Sequence, residues 1–148
     1  EVIAESLRHI SRKHEDYQID VECEEFILVH MDVRLIIQVL VNLIDNAIKY
    51  TLPGSKICIR GIKKDGQAQI SVADNGPGIS DEVKPHIFEM FYTGNNTIAD
   101  SHRSLGLGLS LCRSIIEAHG GTLVLTDNIP RGCMFTFTLP LSEVILNE

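Results

Sequence analysis

The chain has 148 residues, of which 44% are hydrophobic, and it carries a formal net charge of −7 at pH 7. This length suits one globular domain over residues 1–148, and no apolar run reaches the roughly 18–20 residues of a membrane span. The acidic balance and the lack of a basic tract argue against a nucleic-acid partner. An anionic ligand would therefore have to be bound locally, by backbone amides, a metal ion or a single lysine.

The cysteines bear on the compartment in which the protein works. Cys23, Cys58, Cys112 and Cys133 form no C-x-x-C pair, so the sequence gives no zinc signature. We predict reduced, mostly buried thiols in a cytoplasmic protein. The sequence has neither an initiator Met nor a signal peptide, and we expect it to be a fragment of a longer protein.

The first third of the chain predicts two helices and two strands. Apolar residues at helical spacing favour a helix over residues 2–13. The segments YQIDVE (17–22) and FILVHM (26–31) are typical of short strands. Asp32 is suited to cap the next helix, which we predict to run over residues 33–50.

The middle of the chain predicts a hairpin, a short helix and a long loop. SKICIRGI (55–62) and QAQISVAD (67–74) are predicted strands, and the Asp-Gly pair in KKDG between them is a strong hairpin signal. A short helix is predicted around residues 81–89. The polar, patternless segment FYTGNNTIADSHRS (91–104) predicts a long loop with little to bury.

The last third predicts one more helix and a pair of strands. LGLGLSLCRSIIEAHGG (105–121) is interpreted as a helix introduced by two glycines and closed by two others. GTLVLTDN (121–128) and GCMFTFTLP (132–140) are predicted strands, and residues 141–148 form a tail. Hairpin-paired strands with helices between the groups favour an α+β fold, in which helices cover one face of a mixed sheet.

Two asparagines interrupt the largely hydrophobic helix at residues 33–50. Asn42, Asn46 and Lys49 belong to a narrow polar stripe. An asparagine inside a helix costs about 0.5–0.7 kcal/mol relative to alanine, and a buried amide without a partner costs about 1–3 kcal/mol more. A solvated stripe on an amphipathic helix is the simplest explanation. A functional explanation is an amide oxygen that binds Mg²⁺ carrying phosphates, with Lys49 close to a phosphate.

Asp74 ends the row of inward-facing residues on the predicted strand at 67–74. A buried carboxylate needs a strong hydrogen-bond donor, and the exocyclic amine of a purine would serve. Gly76 and Gly78 would allow the backbone to run close to a flat ring. The alternative is an ordinary turn, because Asp-Asn-Gly-Pro-Gly is common turn composition.

The segment LGLGLS leads two glycines into the start of a predicted helix, where free backbone N–H groups can bind an anion. It is not a Walker loop, because no Gly-Lys-Ser/Thr follows. It is not a dinucleotide fingerprint either, because no strand precedes it and the third glycine is missing. A tight turn into the helix explains the glycines without any ligand.

Together and in this order, the motifs resemble the catalytic, ATP-binding domain of bacterial sensor histidine kinases, within the wider gyrase, Hsp90, histidine kinase and MutL superfamily. NLIDNAIKYT resembles the N box, DNGPGI the first glycine box, IFEMFYTG the F box and GLGLSL the second glycine box. The runs HMDVRLIIQVLVNLIDNAIKY and GLGLSLCRSIIEAHGGTL look particularly like Kdp-type, potassium-responsive sensor kinases. The implied fold is a Bergerat-type two-layer α/β sandwich, a mixed, mostly antiparallel sheet covered on one face by about three helices.

On the helix that carries the N box, the resemblance implies a metal and phosphate site. Asn46 resembles the family's Mg²⁺ ligand, and Asn42 lies one turn before it at the phosphate end. Both asparagines would then act in catalysis. Lys49 resembles the basic residue that contacts phosphate, and Tyr50 resembles the aromatic side chain that packs on adenine.

For the adenine, the resemblance implies a pocket around Asp74. Asp74 resembles the carboxylate that accepts a hydrogen bond from the adenine amine, and Gly76, Gly78 and Ile79 would lie against the adenine ring. Cys133 stands where many members have threonine, which puts a water-mediated contact near adenine in doubt.

The resemblance also implies an ATP lid over residues 92–105, with Phe88 and Phe91 as its hydrophobic anchor. The hinge and the start of the phosphate-binding helix would be formed by Gly106, Leu107, Gly108 and Leu109.

Several lid positions depart from the family's common pattern. Thr93 stands where an Arg or Lys often follows the F box, and Ser104 and Leu105 stand where many members have Gly and Thr. The lid would be stiffer at that end, and a phosphate contact from the lid would fall to His102 or Arg103. Solvated polar loop residues are the plain alternative for both.

The implied activity is transfer of the γ-phosphate of ATP, bound with Mg²⁺, to a histidine on a separate acceptor and dimerisation domain. A response regulator would be the next partner. The parent protein is expected to be a membrane-anchored homodimer with its sensor region outside this chain, and the fragment a monomeric cytoplasmic domain. A potassium or osmotic-stress signal is implied by the Kdp-type likeness alone.

None of the six histidines has the context expected of the acceptor, in which an acidic residue and a short Arg-Thr-Pro-like run follow. His14 is followed by Glu15 and Asp16, but then by Tyr17 and a predicted strand. An exposed loop histidine is the better explanation. We therefore expect the acceptor domain, with its acidic general base, to lie outside this chain.

Two alternatives stay open. An ATPase clamp of the gyrase or MutL kind places a catalytic Glu one turn before the metal-binding Asn, where this chain has Asn42, a side chain that cannot act as a base. A degenerate module would bind nucleotide or partners without phosphate transfer. Intact Asn46, Asp74 and glycine pairs argue against the degenerate module, whereas the departures in the lid favour it.

Overall fold

In the described part of the chain, five β-strands form one mixed sheet whose order in space differs from the order in sequence. The computed structural model describes residues 2–8, 17–24, 29, 31–49, 51–89 and 100–141, with only the backbone of residues 100–107. The strands are β1 (Gln18–Cys23), β2 (Lys56–Lys64), β3 (Gln67–Asp74), β4 (Leu123–Asp127) and β5 (Cys133–Pro140). Their order is β1-β2-β3-β5-β4, with β1 parallel to β2 and the other pairs antiparallel. This arrangement confirms the mixed, mostly antiparallel sheet.

The hairpin between β2 and β3 confirms the Asp-Gly signal. Asp65 and Gly66 both have positive φ, at 55° and 76°. This is the backbone that a two-residue hairpin turn of the I′ type requires. The hairpin then places β3 in the middle of the sheet, where it also pairs with β5.

Three α-helices occur in the described part of the chain: α1 (Val2–Arg8), α2 (Val33–Lys49) and α3 (Asp100–Ala118). Asp32 caps α2 as predicted, because its Oδ1 accepts hydrogen bonds from the N–H groups of Arg34 (3.1 Å) and Leu35 (3.3 Å). α1 packs on α2, and α2 packs on α3 and on the sheet. The helices therefore form the second layer of the predicted two-layer fold.

The hydrophobic core lies between the sheet and helices α2 and α3. It contains the buried face of α2, the inward residues of β2 and β5, and the middle of α3. Each such side chain contributes on the order of 1.5–3 kcal/mol when it leaves water. The other face of β1 and β2 is polar, and there Lys56 pairs with Asp20 (3.5 Å) and Arg60 pairs with Glu22 (3.4 Å).

His119 joins the end of α3 to the start of α2. Its Nδ1 lies 2.8 Å from the carbonyl oxygen of Ile115, and its Nε2 accepts a hydrogen bond from the N–H of Asp32 at 3.0 Å. Since Nε2 acts as an acceptor, Nδ1 carries the proton and donates to Ile115. One neutral imidazole thus connects the two helices at their shared end.

The prediction that the third helix begins at the glycines was wrong. α3 begins at Asp100, so residues 100–104, predicted as loop, have a helical backbone, and Gly106 and Gly108 lie inside the helix. A glycine inside a helix costs about 1 kcal/mol relative to alanine, which weakens a helix without ending it. Only the first four N–H groups of a helix are free, so those from Gly106 onwards bond within α3.

Other predicted boundaries also changed. The helix expected around 81–89 is reduced to one 3-10 turn, Lys84–His86, because Pro85 has no N–H to donate. Of the strand predicted at 26–31, the described Val29 and Met31 belong to no strand. The remaining predictions for residues 9–16, 25–28, 90–99 and 142–148 lie outside the described residues.

No helix in the part of the chain that the structure describes is both long and apolar enough to span a membrane.

Candidate functional site

A cavity of about 270 Å³ opens between α2, the segment after β3, α3 and β5. Most of its wall is apolar. Five of the predicted site residues line it: Asn46, Asp74, Gly78, Ile79 and Leu109. The structure therefore brings residues from three separate motifs to one cavity.

Asp74 is the charged residue of the cavity wall in the described part of the chain. It ends β3 on the same face as the buried Val72, which places its carboxylate inside, with only 6% of the residue exposed. The N–H of Gly76 donates to its Oδ1 at 2.9 Å, and the N–H of Cys133 donates to the same oxygen at 3.4 Å. The thiol of Cys133 donates to Oδ2 at 3.2 Å.

Cys133 reaches Asp74 because β5 pairs with β3. The register places Ala73 opposite Met134, so the next pair of residues along, Asp74 and Cys133, also become neighbours. Burial of the thiol, and then the negative charge of Asp74, raise the pKa of Cys133 well above its ordinary value. The sulfur is therefore protonated near neutral pH and acts as a donor.

The turn between β4 and β5 packs on the backbone of the segment that carries Asp74. Asn128 donates from Nδ2 to the backbone carbonyl oxygen of Asp74 (2.8 Å), and Arg131 donates from Nε to the carbonyl oxygen of Gly76 (3.0 Å). Gly132 has φ +101°, and a Cβ there would lie 1.9 Å from the carbonyl oxygen of Asp74. Only glycine allows the two backbones to approach this closely.

Gly76 is needed for a close approach to the end of α2. A Cβ at Gly76 would lie 2.6 Å from Cγ2 of Thr51. Thr51 is held in place by a hydrogen bond from its Oγ1 to the carbonyl oxygen of Ala47 at 2.7 Å. Gly76 thus packs on Thr51 outside the cavity, whereas Gly78, at φ +82°, lines the cavity itself.

The environment of Asn46 is compatible with the prediction that an amide oxygen of the polar stripe binds Mg²⁺. The residue is 3% exposed, lines the cavity, and its Oδ1 has no hydrogen-bond partner within the described residues. A buried, unpartnered amide oxygen is costly unless a ligand completes it, and it is an acceptable ligand for Mg²⁺. Nowhere in the described ranges do three His, Cys, Asp or Glu side chains cluster as a metal site. Asn46 therefore fits a metal whose other ligands are phosphate oxygens and water.

Asn42 does not line the cavity but lies between the helices. Its Nδ2 donates to the sulfur of Cys112 at 3.6 Å, and a Cβ on Gly108 would lie 3.5 Å from its Oδ1. Burial raises the pKa of Cys112 to about 12, so this sulfur also stays protonated. Lys49 is half-buried at the end of α2 and does not line the cavity either.

Phe88 packs behind the cavity and does not line it. Its ring meets Phe135 edge to face, with centroids 6.0 Å apart, and the guanidinium of Arg113 lies 5.0 Å from its centroid. Phe88 thereby links β5 to α3, and its role as a lid anchor stays a prediction.

The structure does not show how four of the predicted site residues, Tyr50, Phe91, Gly106 and Leu107, are placed relative to the cavity. Tyr50 and Phe91 lie outside the described residues, as does Thr93 in the predicted lid. Gly106 and Leu107 are described only as helical backbone in α3.

Two ion pairs of Lys84 beside the cavity form a clamp that was not predicted from the sequence. Nζ of Lys84 lies 2.6 Å from Oδ1 of Asp81 and 2.7 Å from Oδ1 of Asp127. These bonds connect the segment that carries Ser80 and Val83, two residues of the cavity wall, to the end of β4. The i,i+3 spacing from Asp81 to Lys84 was a visible local signal, whereas the partner 43 residues further on was not.

Comparison with known proteins identifies the family of this chain. The family described as "Histidine kinase-, DNA gyrase B-, and HSP90-like ATPase" matches residues 31–143. The chain belongs to this family. This ATPase-family domain is 40% identical to the sensor protein KdpD of Clostridium acetobutylicum over 141 residues, and 38% identical to the adaptive-response sensory kinase SasA of a Nostoc species over 142 residues. It spans 16% and 35% of these two relatives, respectively.

Solved structures give the same family. The catalytic domain of histidine kinase ThkA matches this domain with a TM-score of 0.82 and 34% identity, covering 96% of this chain and 93% of that one. A longer ThkA structure, solved in complex with the response regulator protein TrrA, matches with a TM-score of 0.77 and 33% identity, covering 95% of this chain and 40% of that one. The α+β fold is thus that of histidine kinase catalytic domains.

Proposed function

We propose that this domain binds ATP with the adenine in the cavity against Asp74. The observation that carries the proposal is a carboxylate 6% exposed at the wall of a largely apolar cavity. A flat, apolar ring with one amine suits such a site, because the ring replaces water along the wall and the amine donates to the carboxylate. Gly78 and Ile79 would face the ring, and Tyr50 would pack on it.

At the other end of the nucleotide, we propose that Asn46 contributes its amide oxygen to a Mg²⁺ ion bound by the phosphates. Lys49 would lie near the phosphates, and Asn42 would support the wall between α2 and α3. Contrary to the prediction from the sequence, α3 does not offer free N–H groups to the phosphates at residues 106–109, because these N–H groups bond within the helix. Gly108 instead provides the space in which Asn42 meets α3.

Calorimetric titration with a non-hydrolysable ATP analogue, with and without Mg²⁺, tests the binding site. Asp74→Asn should weaken ATP binding by about tenfold or more, because an amide nitrogen can turn a donor toward the adenine amine. Asp20→Asn on the opposite, polar face of the sheet is the matched control and should leave binding within about twofold. Equal affinity of Asp74→Asn and the parent would refute the adenine assignment, and no parent binding at millimolar nucleotide would refute nucleotide binding.

We propose further that the domain presents the γ-phosphate of ATP to a histidine on a separate domain. Among the described residues that line the cavity, the one with a carboxylate is Asp74, which we assign to the adenine. The position one turn before Asn46 is Asn42, whose amide is a donor to sulfur and cannot activate water. This arrangement favours phosphotransfer with an external base over an ATPase clamp of the gyrase or MutL kind.

The reaction is tested in the full-length parent protein with γ-labelled ATP. Transfer to histidine predicts label that is stable in alkali and lost in acid. Release of the label as free phosphate, with none on the protein, would support the ATPase alternative. Tight ATP binding with neither transfer nor release would support the degenerate module.

The similarity to KdpD supports a Kdp-type parent, a membrane-anchored homodimer that responds to potassium or osmotic stress, with this domain on the cytoplasmic side. ThkA was solved with a response regulator, which supports a response regulator as the downstream partner. SasA is almost equally similar, so the signal needs its own test. Potassium-dependent phosphorylation of the parent in membrane vesicles should be seen, and insensitivity to potassium would reject the Kdp assignment while leaving the kinase intact.

A further inference from the structure

Donors of the protein itself occupy most of the hydrogen-bond acceptor positions of the Asp74 carboxylate. A carboxylate offers about four acceptor positions, two on each oxygen. Both positions of Oδ1 face backbone donors, the N–H of Gly76 at 2.9 Å and the N–H of Cys133 at 3.4 Å. On Oδ2, the thiol of Cys133 takes one position at 3.2 Å. Within the part of the chain that the structure describes, one acceptor position therefore stays open for a ligand.

The thiol holds its place as a donor because it is protonated and fixed. Cys133 is 7% exposed, and burial beside Asp74 raises its pKa, so that the sulfur does not become a thiolate near neutral pH. Its position is set by the close packing of Gly132 on the carbonyl oxygen of Asp74, and by the hydrogen bond from Asn128 to the same oxygen.

We propose that Cys133 is a specificity-determining residue, which leaves Asp74 a single open acceptor position and so selects a base with one inward-pointing N–H over guanine. The proposal rests on the proposed nucleotide function and adds to it the choice between bases.

The reason lies in the edges of the two purines. Adenine offers one exocyclic amine beside a ring nitrogen that accepts, so a single acceptor on Oδ2 is sufficient for it. Guanine offers a ring N–H next to an exocyclic amine, two neighbouring donors that suit a carboxylate with two open positions. With one open position on Asp74, the second guanine donor is buried without a partner, which costs about 1–3 kcal/mol.

Two substitutions separate the donor from the shape of the side chain. Cys133→Ala removes the S–H donor and opens a second position on Oδ2, whereas Cys133→Ser keeps a donor of nearly the same size. Cys58→Ala, on the opposite face of the sheet, is the matched control thiol. Calorimetric titration measures binding of non-hydrolysable ATP and GTP analogues, and thermal unfolding is followed for each variant.

We expect Cys133→Ala to narrow the preference for ATP over GTP by roughly threefold to tenfold, mainly through tighter GTP binding, as suits the gain of one hydrogen bond. Cys133→Ser and Cys58→Ala should keep the parent's preference. An unchanged preference in Cys133→Ala would overturn the proposal, and so would an equal loss of both nucleotides together with a lower melting temperature. A parent that binds neither nucleotide would instead overturn the proposed function.

Discussion

The two ends of the candidate site are built differently. At the base end, defined by Asp74, Asn128, Gly132 and Cys133, almost every polar atom has a protein partner at 2.8–3.4 Å. At the phosphate end, defined by Asn42, Asn46 and Gly108, the buried Oδ1 of Asn46 has no partner among the described residues. The base end thus has most of its hydrogen bonds formed within the protein and one acceptor position of Asp74 open, whereas the proposed phosphate end has a buried amide oxygen with no partner among the described residues.

This difference has a physical meaning for stability and for binding. Filled hydrogen bonds at the base end stabilise the fold and fix the recognition geometry in advance. An unpartnered buried oxygen at the proposed phosphate end costs stability, and a ligand that binds to it would offset that cost. Substitutions that break the backbone packing at the base end should therefore lower both stability and binding, and substitutions at the proposed phosphate end should separate the two.

The largest expected effect is at Gly132. Gly132→Ala should lower the free energy of unfolding by about 3 kcal/mol or more, because the new Cβ collides with the carbonyl oxygen of Asp74. Gly54→Ala is the matched control, since Gly54 has φ +91° with nothing within 4 Å, and its cost should be about 1 kcal/mol. Urea unfolding measures both, and equal losses would mean that the close approach at the base end contributes no stability.

Asn46→Ala tests the phosphate end. We expect the free energy of unfolding to rise by about 0.5 kcal/mol or more, because alanine is the better helix former and an unpartnered buried oxygen is removed. The strengthening of ATP binding by Mg²⁺ should disappear in the same variant. Gln38→Ala, two turns earlier on α2, is the control and should leave the Mg²⁺ effect intact. A less stable Asn46→Ala variant that still responds to Mg²⁺ would remove the contrast between the two ends.

The smallest effect concerns the Lys84 clamp, which holds the cavity wall near the base end. Hydrogen bonding to Lys84 lowers the pKa of Asp81 below its ordinary value of 3.8, and hydrogen bonds to Asp127 and then Asp81 raise the pKa of Lys84 above 10.5. The clamp therefore stabilises the fold between these values. Its contribution is lost as the pH falls through the lowered carboxyl pKa or rises through the raised lysine pKa.

Lys84→Met should accordingly lower stability most in the neutral range and lose less at both extremes of pH. Urea unfolding of the parent and the variant at several pH values gives the difference curve. Lys63→Met, an exposed lysine on β2, serves as the control and should show a flat difference. A difference for Lys84→Met that does not depend on pH would show that the ion pairs are not its source.

Local signals predicted the elements that depend on local chemistry. The cap at Asp32, the course of α2 and the hairpin at Asp65 and Gly66 each follow from residues within a few positions of one another. The alternation along β3 likewise predicts that Asp74 lies on the buried face, and its low exposure confirms this. Residue chemistry alone singled out Asn46, Asp74 and Gly78 of the cavity wall, whereas Ile79 and Leu109 were predicted from the family resemblance.

The features that the sequence did not predict depend on pairing between distant segments. Asp74 and Cys133 meet only because β5 inserts between β3 and β4, and no local pattern contains that order. The link from Lys84 to Asp127 has the same cause. The start of α3 was misplaced for the opposite reason, because Gly106 and Gly108 were given more weight as helix breakers than their cost of about 1 kcal/mol each allows.

The hydrogen bonds of His119 fix the C-terminal end of α3 to the start of α2. The helix has 19 residues, which corresponds to a length of about 28 Å. A rotation of roughly 10° about the fixed end would move the first turn, at Asp100, by roughly 5 Å along an arc set by this length. A small change of angle where the imidazole joins the helices thus becomes a displacement of several ångströms at the first turn of α3.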